Sequence, residues 1–499
     1  MSRPATKLIR QGAARVGFRH ELHPSQWLQL RAALGDEPEL DFLGLWAEQG
    51  AVHAAFHGAD GLLLTTLPLA EASYPALSPV RPAAAWFERA VADLWGLRAE
   101  GGTDGRSWLD HGRWPAMAPL SARPQPNMAE PPQPGFLPAL GEGVHQVPVG
   151  PVHGGVTEPG HFRFHVQGER VVRLEARLGY AHKGTLGLMR GKSPRAAARF
   201  AARISGDSTV AHSWAFAAAA EAALDLTPPP RAILLRGVMA ELERIANHLN
   251  DWGALCNDAG FAWPQARCGV LREALLRAQE AAFGHRLMMD RVVPGGVSID
   301  IARSGPDTLR AALAGIQAEF PALRRISEEQ AGLQDRLAGT GVLHPALAGR
   351  FAAGGFVGRA SGRDFDARRN RAYAPYDAVA FTVPVLRSGD VEARLALRMA
   401  ELEQSLSMAE TLLARLEPGE TLLALPVQGG EGVALVEGFR GEVLCWMALD
   451  ENGLIRACFA RDPSWLHWPL LEAAMQNGIL ADFPLCNRSF NASYSGVDL

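Results

Sequence analysis

Cysteine is scarce in this chain of 499 residues. There are five, Cys256, Cys268, Cys445, Cys458 and Cys486, and none is spaced C-x-x-C. An odd, scattered set argues against a disulfide framework and points to a reducing compartment. Free cysteine in such a set is read as a small buried hydrophobe. Long apolar runs are missing as well. The richest, Trp214 to Leu224, is interrupted by Glu221 and is too short to span a bilayer. The early basic residues are not followed by an apolar stretch, so no secretory signal is evident. A strong charge of one sign is also absent. The formal net charge is −4, which leaves no footprint for nucleic acid. Lysine is outnumbered by arginine and alanine is abundant, which we read as genome base composition, not function. The chain is expected to be soluble by itself and to reach a membrane only through partners.

Hydrophobic residues make up 47% and charged residues 20%, ordinary values for a globular protein with a sizeable core. The length suggests roughly two to four domains. Between 116 and 148 stand Pro119, Pro124, Pro126, Pro131, Pro132, Pro134, Pro138 and Pro148. Such a stretch supports neither a helix nor a central strand. We read it as a linker between a small domain, 1–115, and a large one, 149–499.

The small domain mixes element types. Val52 to His57 and Gly61 to Leu67 have strand character, and Ala84 to Trp95 places Trp86, Phe87, Val91, Leu94 and Trp95 at helical spacing. An α+β domain is expected. The large domain reads as mainly helical. Ser193 followed by Pro194 starts a helix that can run to about Leu226, where Pro228, Pro229 and Pro230 stop it. Further helices are expected over Arg231–Asp251, Val270–Asp290, Pro306–Leu337 and Gly389–Leu416, enough for a bundle. After Glu417 the pattern becomes strand-like, with Gly432–Val436 and Val443–Leu449 separated by glycines. No internal repeat is visible.

Short motifs recur in a telling order. The small domain closes with Trp86-Phe87-Glu88-Arg89, Asp93-Leu94-Trp95-Gly96-Leu97, Asp104 and Trp108-Leu109-Asp110-His111-Gly112-Arg113-Trp114-Pro115. The large domain opens with Glu158-Pro159-Gly160-His161-Phe162-Arg163 and Gly179-Tyr180-Ala181-His182-Lys183-Gly184. Arg203-Ile204-Ser205-Gly206-Asp207-Ser208 follows, then Glu241-Leu242-Glu243-Arg244-Ile245-Ala246-Asn247-His248-Leu249. Last come Arg359-Ala360-Ser361-Gly362 with Asp366, Arg368 and Arg369, and the segment Ser489 to Leu499. The first group resembles the C-type subunit of respiratory complex I. The others resemble the D-type subunit of complex I and the large subunit of membrane-bound nickel–iron hydrogenases. A C-type domain fused to a D-type domain resembles the large subunit of group-4 hydrogenases of the hydrogenase-4 and formate-hydrogenlyase type.

The departures from that pattern are informative. The resemblance implies nickel-ligating cysteines at Ser205, Ser208, Ser493 and Gly496. Hydroxyls do not ionise near neutral pH and glycine offers no ligand, whereas thiolates are what select such a metal. No metal is expected. The family's glutamate or histidine before Gly160 is Pro159, which neither donates nor titrates. Its quinone-facing tyrosine is Gly206, and a further glutamate is Leu186. The candidate cleft comprises Glu158, His161, His182, Arg203, Ser205, Asp207, Ser208, Asp366, Arg368, Arg369 and Ser493. Ser205, Asp207, Ser208 and Ser493 are either relics of a metal centre, the lining of a cavity for a quinone or another small redox molecule, or oxygen ligands of a harder metal. Asp364, Asp366, Arg368, Arg369 and Arg371 are a solvated face or a charged rim of the cleft. His248, beside Glu241, Glu243 and Asn247, is read as a hydrogen-bonded structural residue.

The resemblance implies a peripheral subunit of a membrane-bound, energy-converting oxidoreductase, on the cytoplasmic side. Its expected partners are an iron–sulfur small subunit, a ferredoxin-like subunit and antiporter-like membrane subunits. No cofactor is expected on this chain itself; the cluster belongs to the small subunit, and a quinone is possible. Three functions remain open: passing electrons to a quinone-like acceptor, a non-catalytic coupling role, and nickel–iron hydrogenase activity, which the missing ligands oppose. Any activity, NADH:quinone oxidoreductase-like or hydrogenase-like, would need the complex. The large domain is expected to present apolar surface to the small subunit. Only Val497, Asp498 and Leu499 follow Gly496, so the C-terminus is expected to need no proteolytic processing, with Phe490 and Tyr494 as buried anchors.

Overall fold

The computed structural model describes residues 4–16, 19–59, 61–128, 135–152 and 158–499. The expected linker prolines Pro131, Pro132 and Pro134 lie outside these residues.

The N-terminal region is built on a five-stranded sheet. Its strand order is Ala13–Val16, Arg19–Glu21, Gly61–Pro68, Ala51–Gly58, Asp41–Glu48. All neighbours are antiparallel except Arg19–Glu21 with Gly61–Pro68. The helix Ala85–Trp95 packs on the strand Asp41–Glu48 and buries Trp86, Phe87, Val91 and Leu94. Gly96, left-handed at φ 69°, closes it.

The C-terminal half of the proline-rich stretch is better ordered than a linker. Val144–Val149 is the edge strand of a three-stranded antiparallel sheet with His161–Gln167 and Arg170–Arg177. Pro148 is tolerated because an edge strand has one side without a ladder to complete.

The remainder is helical and carries a second meander. Helices Pro230–Asp258, Trp263–Phe283, Gly305–Glu329 and Val391–Ala414 form the bundle. The single helix expected from Ser193 to Leu226 is two, Pro194–Ala201 and Thr209–Ala223. Between them Ser205, Gly206, Asp207 and Ser208 prefer turns, since their short polar groups compete with helical hydrogen bonds. The helix expected over Pro306–Leu337 also divides, at Gln330. The helix expected over Val270–Asp290 is displaced to Trp263–Phe283, because Gly284 at φ 69° stops it. The strands Gly430–Gly438, Gly441–Leu449 and Ile455–Arg461 form an antiparallel meander on which Thr209–Ala223 lies.

Aromatic packing joins this meander to the N-terminal region. Trp46 stacks on Phe459 at 4.7 Å, and Phe87 stacks on Trp465 at 4.7 Å. Arg363 donates to Asp41 at 2.7 Å, and Arg456 pairs with Glu48. Trp263 and Val270, 46% and 57% exposed, are spaced two turns apart on one helix face, so that face is unpacked in the isolated chain.

Candidate functional site

The broken helix makes the site. Thr209–Ala223 points its N-terminus at the turn, and the Glu243 carboxylate accepts from the Val210 and Ala211 amides at 2.7 and 3.1 Å. Those amides have no helical partner, so Glu243 caps the helix from a neighbouring one. Burial pushes the Glu243 carboxyl up to about 8 against these hydrogen bonds. Asn247 donates to the Asp207 carbonyl at 2.7 Å and pins the turn.

From the C-terminal side, helix Phe483–Phe490 ends at Asn491, left-handed at φ 43°. The Asn491 side-chain amide donates to Asp251 at 2.9 and 3.0 Å. The chain then delivers Ser493, whose hydroxyl lies 2.8 Å from that of Ser205. Ser205 donates to Asp207 at 2.9 Å. The motif serines, nearly 300 residues apart in sequence, thus share one hydrogen-bonded string. An added Cβ at Gly496 would stand 2.8 Å from the Asp462 carboxyl carbon and 2.9 Å from the Ser493 hydroxyl. The space of a side chain there is already taken.

A cation completes the set. The hairpin turn after Gly438 carries Arg440, which donates to both Asp207 oxygens at 2.7 and 2.6 Å and to Ser208 at 3.1 Å. It also donates to the Asn491 carbonyl, tying the turn to the C-terminal segment. Such a bidentate pair is strong and fixed in orientation. Burial acts to raise the Asp207 carboxyl, but the Arg440 charge and hydrogen bonds outweigh it and hold it below its ordinary value. Behind this clasp Asp462 accepts from His212 at 2.9 Å and from the Ser464 amide at 2.8 Å.

The clasp faces a cleft of about 770 Å³ lined by Glu158, Ser205, Gly206, Asp207, Arg440 and Ser493, with Tyr494 and Arg488 at its sides. Glu158 accepts from the Ser495 amide at 2.9 Å. A β-carbon at Gly160 would meet the Tyr494 ring at 2.6 Å, which is why glycine stands there. Phe490 and Tyr494 are buried.

The other expected cleft residues fall elsewhere. Arg203 makes a half-exposed pair with Asp290 at 2.7 and 2.8 Å and does not line the cleft. His161 sits on the strand His161–Gln167, bonded to the Gly150 carbonyl at 3.2 Å. His182 is bonded to the Asp498 carbonyl at 2.5 Å and, with Leu186, lines a separate cavity of about 440 Å³. Asp366 and Arg368 belong to a buried ionic network, not to a solvated face. Arg368 bridges Asp366 at 2.7 Å and Glu241 at 3.0 Å, and Arg359 bridges Glu401 at 2.7 Å and Glu437 at 3.1 Å. Arg369 pairs outside with Asp364. His248 is fully buried and bonded to Glu401 at 3.0 Å. Sequence reasoning missed Arg440 and Asp462. Arg440 had a faint signal, a lone charge in a Gly-x-x-Gly turn.

A nickel centre does not fit these residues. The expected ligand positions present hydroxyls and a glycine, and a guanidinium sits among them at 2.6–3.1 Å from Asp207 and Ser208. A fixed cation there opposes a second one. Among the described residues no group of three or more His, Cys, Asp or Glu side chains is placed to hold a metal ion.

Comparison with known proteins places this geometry. A model described as respiratory-chain NADH dehydrogenase, 49 Kd subunit, matches residues 258–426. One described as nickel-dependent hydrogenase matches 183–256, and one for the 30 Kd subunit of the same dehydrogenase matches 23–126. The D-type subunit of the NADH-quinone oxidoreductase of Gluconacetobacter diazotrophicus is 33% identical over 71% of this chain and 92% of its own length. The chain belongs to that D-type family. It is a fusion, because the 30 Kd and 49 Kd types occur together in it. Formate hydrogenlyase subunit 5 of Escherichia coli is 29% identical over 85% of this chain and 77% of its own. Among solved structures, a chain of the membrane-bound sulfane sulfur reductase, an archaeal respiratory membrane complex, superposes with a TM-score of 0.68. It is 25% identical and covers 72% of this chain and 100% of its own. Among the described residues no helix is long and apolar enough to cross a membrane.

Proposed function

We propose that this chain is the peripheral C/D-type subunit of a membrane-bound, energy-converting oxidoreductase complex. In this reading it takes electrons from an iron–sulfur cluster in a small-subunit partner and passes them to a quinone-like acceptor without a nickel–iron centre. The division into domains 1–115 and 149–499, a ferredoxin-like partner, antiporter-like membrane subunits and the cytoplasmic side belong to the same proposal. The observation that carries it is the open cleft at the junction of the motifs, whose floor is an arginine–carboxylate clasp where thiolates would stand. The clasp places a fixed charge pair at the cleft floor, which suits a polar acceptor head group.

The test is the purified complex. Solvent extraction should recover quinone, elemental analysis should find no stoichiometric nickel, and added quinone analogues should reoxidise the reduced cluster. Stoichiometric nickel or hydrogen uptake would overturn the reading. One observation favours a second reading, a coupling subunit without chemistry. The clasp satisfies itself, since Arg440 spends its donors on Asp207, Ser208 and the Asn491 carbonyl. A cluster that no quinone analogue reoxidises would favour that reading.

A further inference from the structure

Buried polar groups need partners, and one cluster behind the cleft lacks several. Glu442 is 0% exposed, yet neither carboxylate oxygen has a hydrogen-bond partner. Arg461 is 0% exposed, and its Nε and Nη2 are likewise unpartnered. His467 is 0% exposed, and its Nδ1 has no partner. The Glu442 and Arg461 atoms face one another. The Glu442 carboxylate is 4.0 Å from the guanidinium of Arg461 and 4.0 Å from that of Arg363. Both gaps are too long for a direct hydrogen bond and fit a shared water. His467 donates from Nε2 to the Gly354 carbonyl, 3.2 Å away, and a β-carbon on Gly354 would stand 2.0 Å from a Glu442 oxygen. Gly354 therefore lets the Glu442 carboxylate pack directly against the backbone that His467 holds. Five such atoms left dry would each keep the full penalty of losing water. A buried water typically satisfies about three polar atoms.

The cluster lies between two cavities. On one side Arg363 and its partner Asp41 line a pocket of about 960 Å³ between the N-terminal region and the large domain. On the other side Arg461 is followed by Asp462, which together with Ser493 flanks the missing side chain of Gly496. Ser493, Ser205 and Asp207 then lead into the cleft by hydrogen bonds of 2.8 and 2.9 Å. His467 lies in the field of Asp462, Arg461 and Arg440, and burial draws its pKa down to about 3, so the ring is neutral at working pH. With Nε2–H given to the Gly354 carbonyl, Nδ1 is a free acceptor that can orient a water.

We infer that internal water joins Glu442, Arg461 and His467 into a proton route from the interdomain pocket to the Ser493–Ser205–Asp207 string of the cleft. Glu442 relays and His467 positions water in it, and neither touches the acceptor. The inference rests on the reading that an acceptor is reduced in the cleft, since a quinone-like molecule taking two electrons also takes two protons to become the quinol.

Two measurements on the intact complex test it. The first is a structure of the complex at a resolution that shows ordered water. Density for water bonded to Glu442 and His467 is expected; a dry cluster, with Glu442 closed directly on Arg461, overturns the route. The second compares Glu442→Gln and His467→Phe, the latter removing the water-orienting nitrogen without changing charge. Each should slow multiple-turnover acceptor reduction on the order of 10- to 100-fold and enlarge the solvent isotope effect. Reduction of the partner's cluster, read by electron paramagnetic resonance, should be unchanged. Wild-type rates and isotope effects in both variants overturn the route. If the wild-type complex reduces no quinone analogue, the reading of function fails, while the water density still decides whether the cluster is a filled channel.

Discussion

Two arginine–carboxylate constellations lie in the same domain, built from the same chemistry in different surroundings. In the bundle, Arg359, Arg368, Glu241, Asp366, Glu401 and Glu437 are each no more than 4% exposed. At the cleft, Arg440 is equally buried, but the side chain of Asp207 is 41% exposed. The first set is sealed and cross-linked by several helices and the meander. The second has one wall open to solvent. The difference separates charges that hold the fold from charges that are held by it. A sealed network has no water to replace a lost partner, whereas the cleft does.

The sharpest way to break this comparison is Arg359→Met. Arg359 donates to Glu401 at 3.0 and 2.7 Å, to Glu437 at 3.1 Å and to the Phe365 carbonyl at 2.9 Å. Its loss strands carboxylates without a path to solvent, and about 3–5 kcal/mol of stability should go with it. Denaturant unfolding measures this. A loss below about 1 kcal/mol would mean that the bundle network relaxes as freely as the cleft.

A pH series separates the carboxylates further. Burial lifts the Glu437 carboxyl to about 7, but Glu241, Glu401 and Asp366 are held down; burial acts to raise Asp366, and Arg368 and Arg359 outweigh it and bring it to about 2. Such groups stabilise above their unfolded pKa near 4, and the contribution is lost as pH falls through the folded value. Glu243 behaves oppositely, since burial lifts it to about 8. The unfolded chain loses its proton near 4.3 and the folded chain keeps it, so stability falls as pH rises from about 4.3 to 8. Glu243→Gln leaves one acceptor oxygen for the Val210 and Ala211 amides, a loss that does not vary with pH, and removes the titration. Its stability should therefore fall less steeply than wild type across that window, by up to a few kcal/mol. Parallel curves for the two proteins would show that Glu243 is ionised in the fold.

At the cleft, Arg440→Met should cost about 2 kcal/mol, less than the bundle substitution, because water can reach Asp207. Arg440→Lys should recover only part of the loss, as an ammonium cannot match both carboxylate oxygens. Calorimetry of the wild type and both variants checks the order.

The motifs made much of this legible, and the reasons are local. Ser205, Asp207, Ser208 and Ser493 could be grouped because short motifs carry their own spacing, and the structure does bring them together. The bundle helices were readable from their stop signals, as with the prolines before Pro230–Asp258. Arg440 was not readable, because its role depends on where a hairpin turn lands, 233 residues from Asp207. The split at 202–208 was missed because alanine-rich helical propensity on both sides hid a turn made of Ser, Gly and Asp. Asp366 and Arg368 looked like a solvated run because charge density along a sequence does not say which partners arrive, here Glu241 and Arg359.

The smallest effect is expected at Arg203, which the motif placed in the cleft and the fold places outside it. Its guanidinium is 46% exposed and faces Asp290, itself 39% exposed, at 2.7 and 2.8 Å. The geometry is as good as that of Arg440 with Asp207, so distance alone predicts equal importance. Solvent decides otherwise. Both partners of the exposed pair are rehydrated when it breaks, and salt screens what attraction remains. Arg203→Ala should therefore change stability by no more than about 0.5 kcal/mol, and less at high salt. The same melts that rank Arg359→Met and Arg440→Met will place it. If Arg203→Ala instead costs as much as Arg440→Met, burial is not what distinguishes these pairs. The turn that both arginines flank would then be the element that matters, with Arg203 bracing its entry and Arg440 its exit.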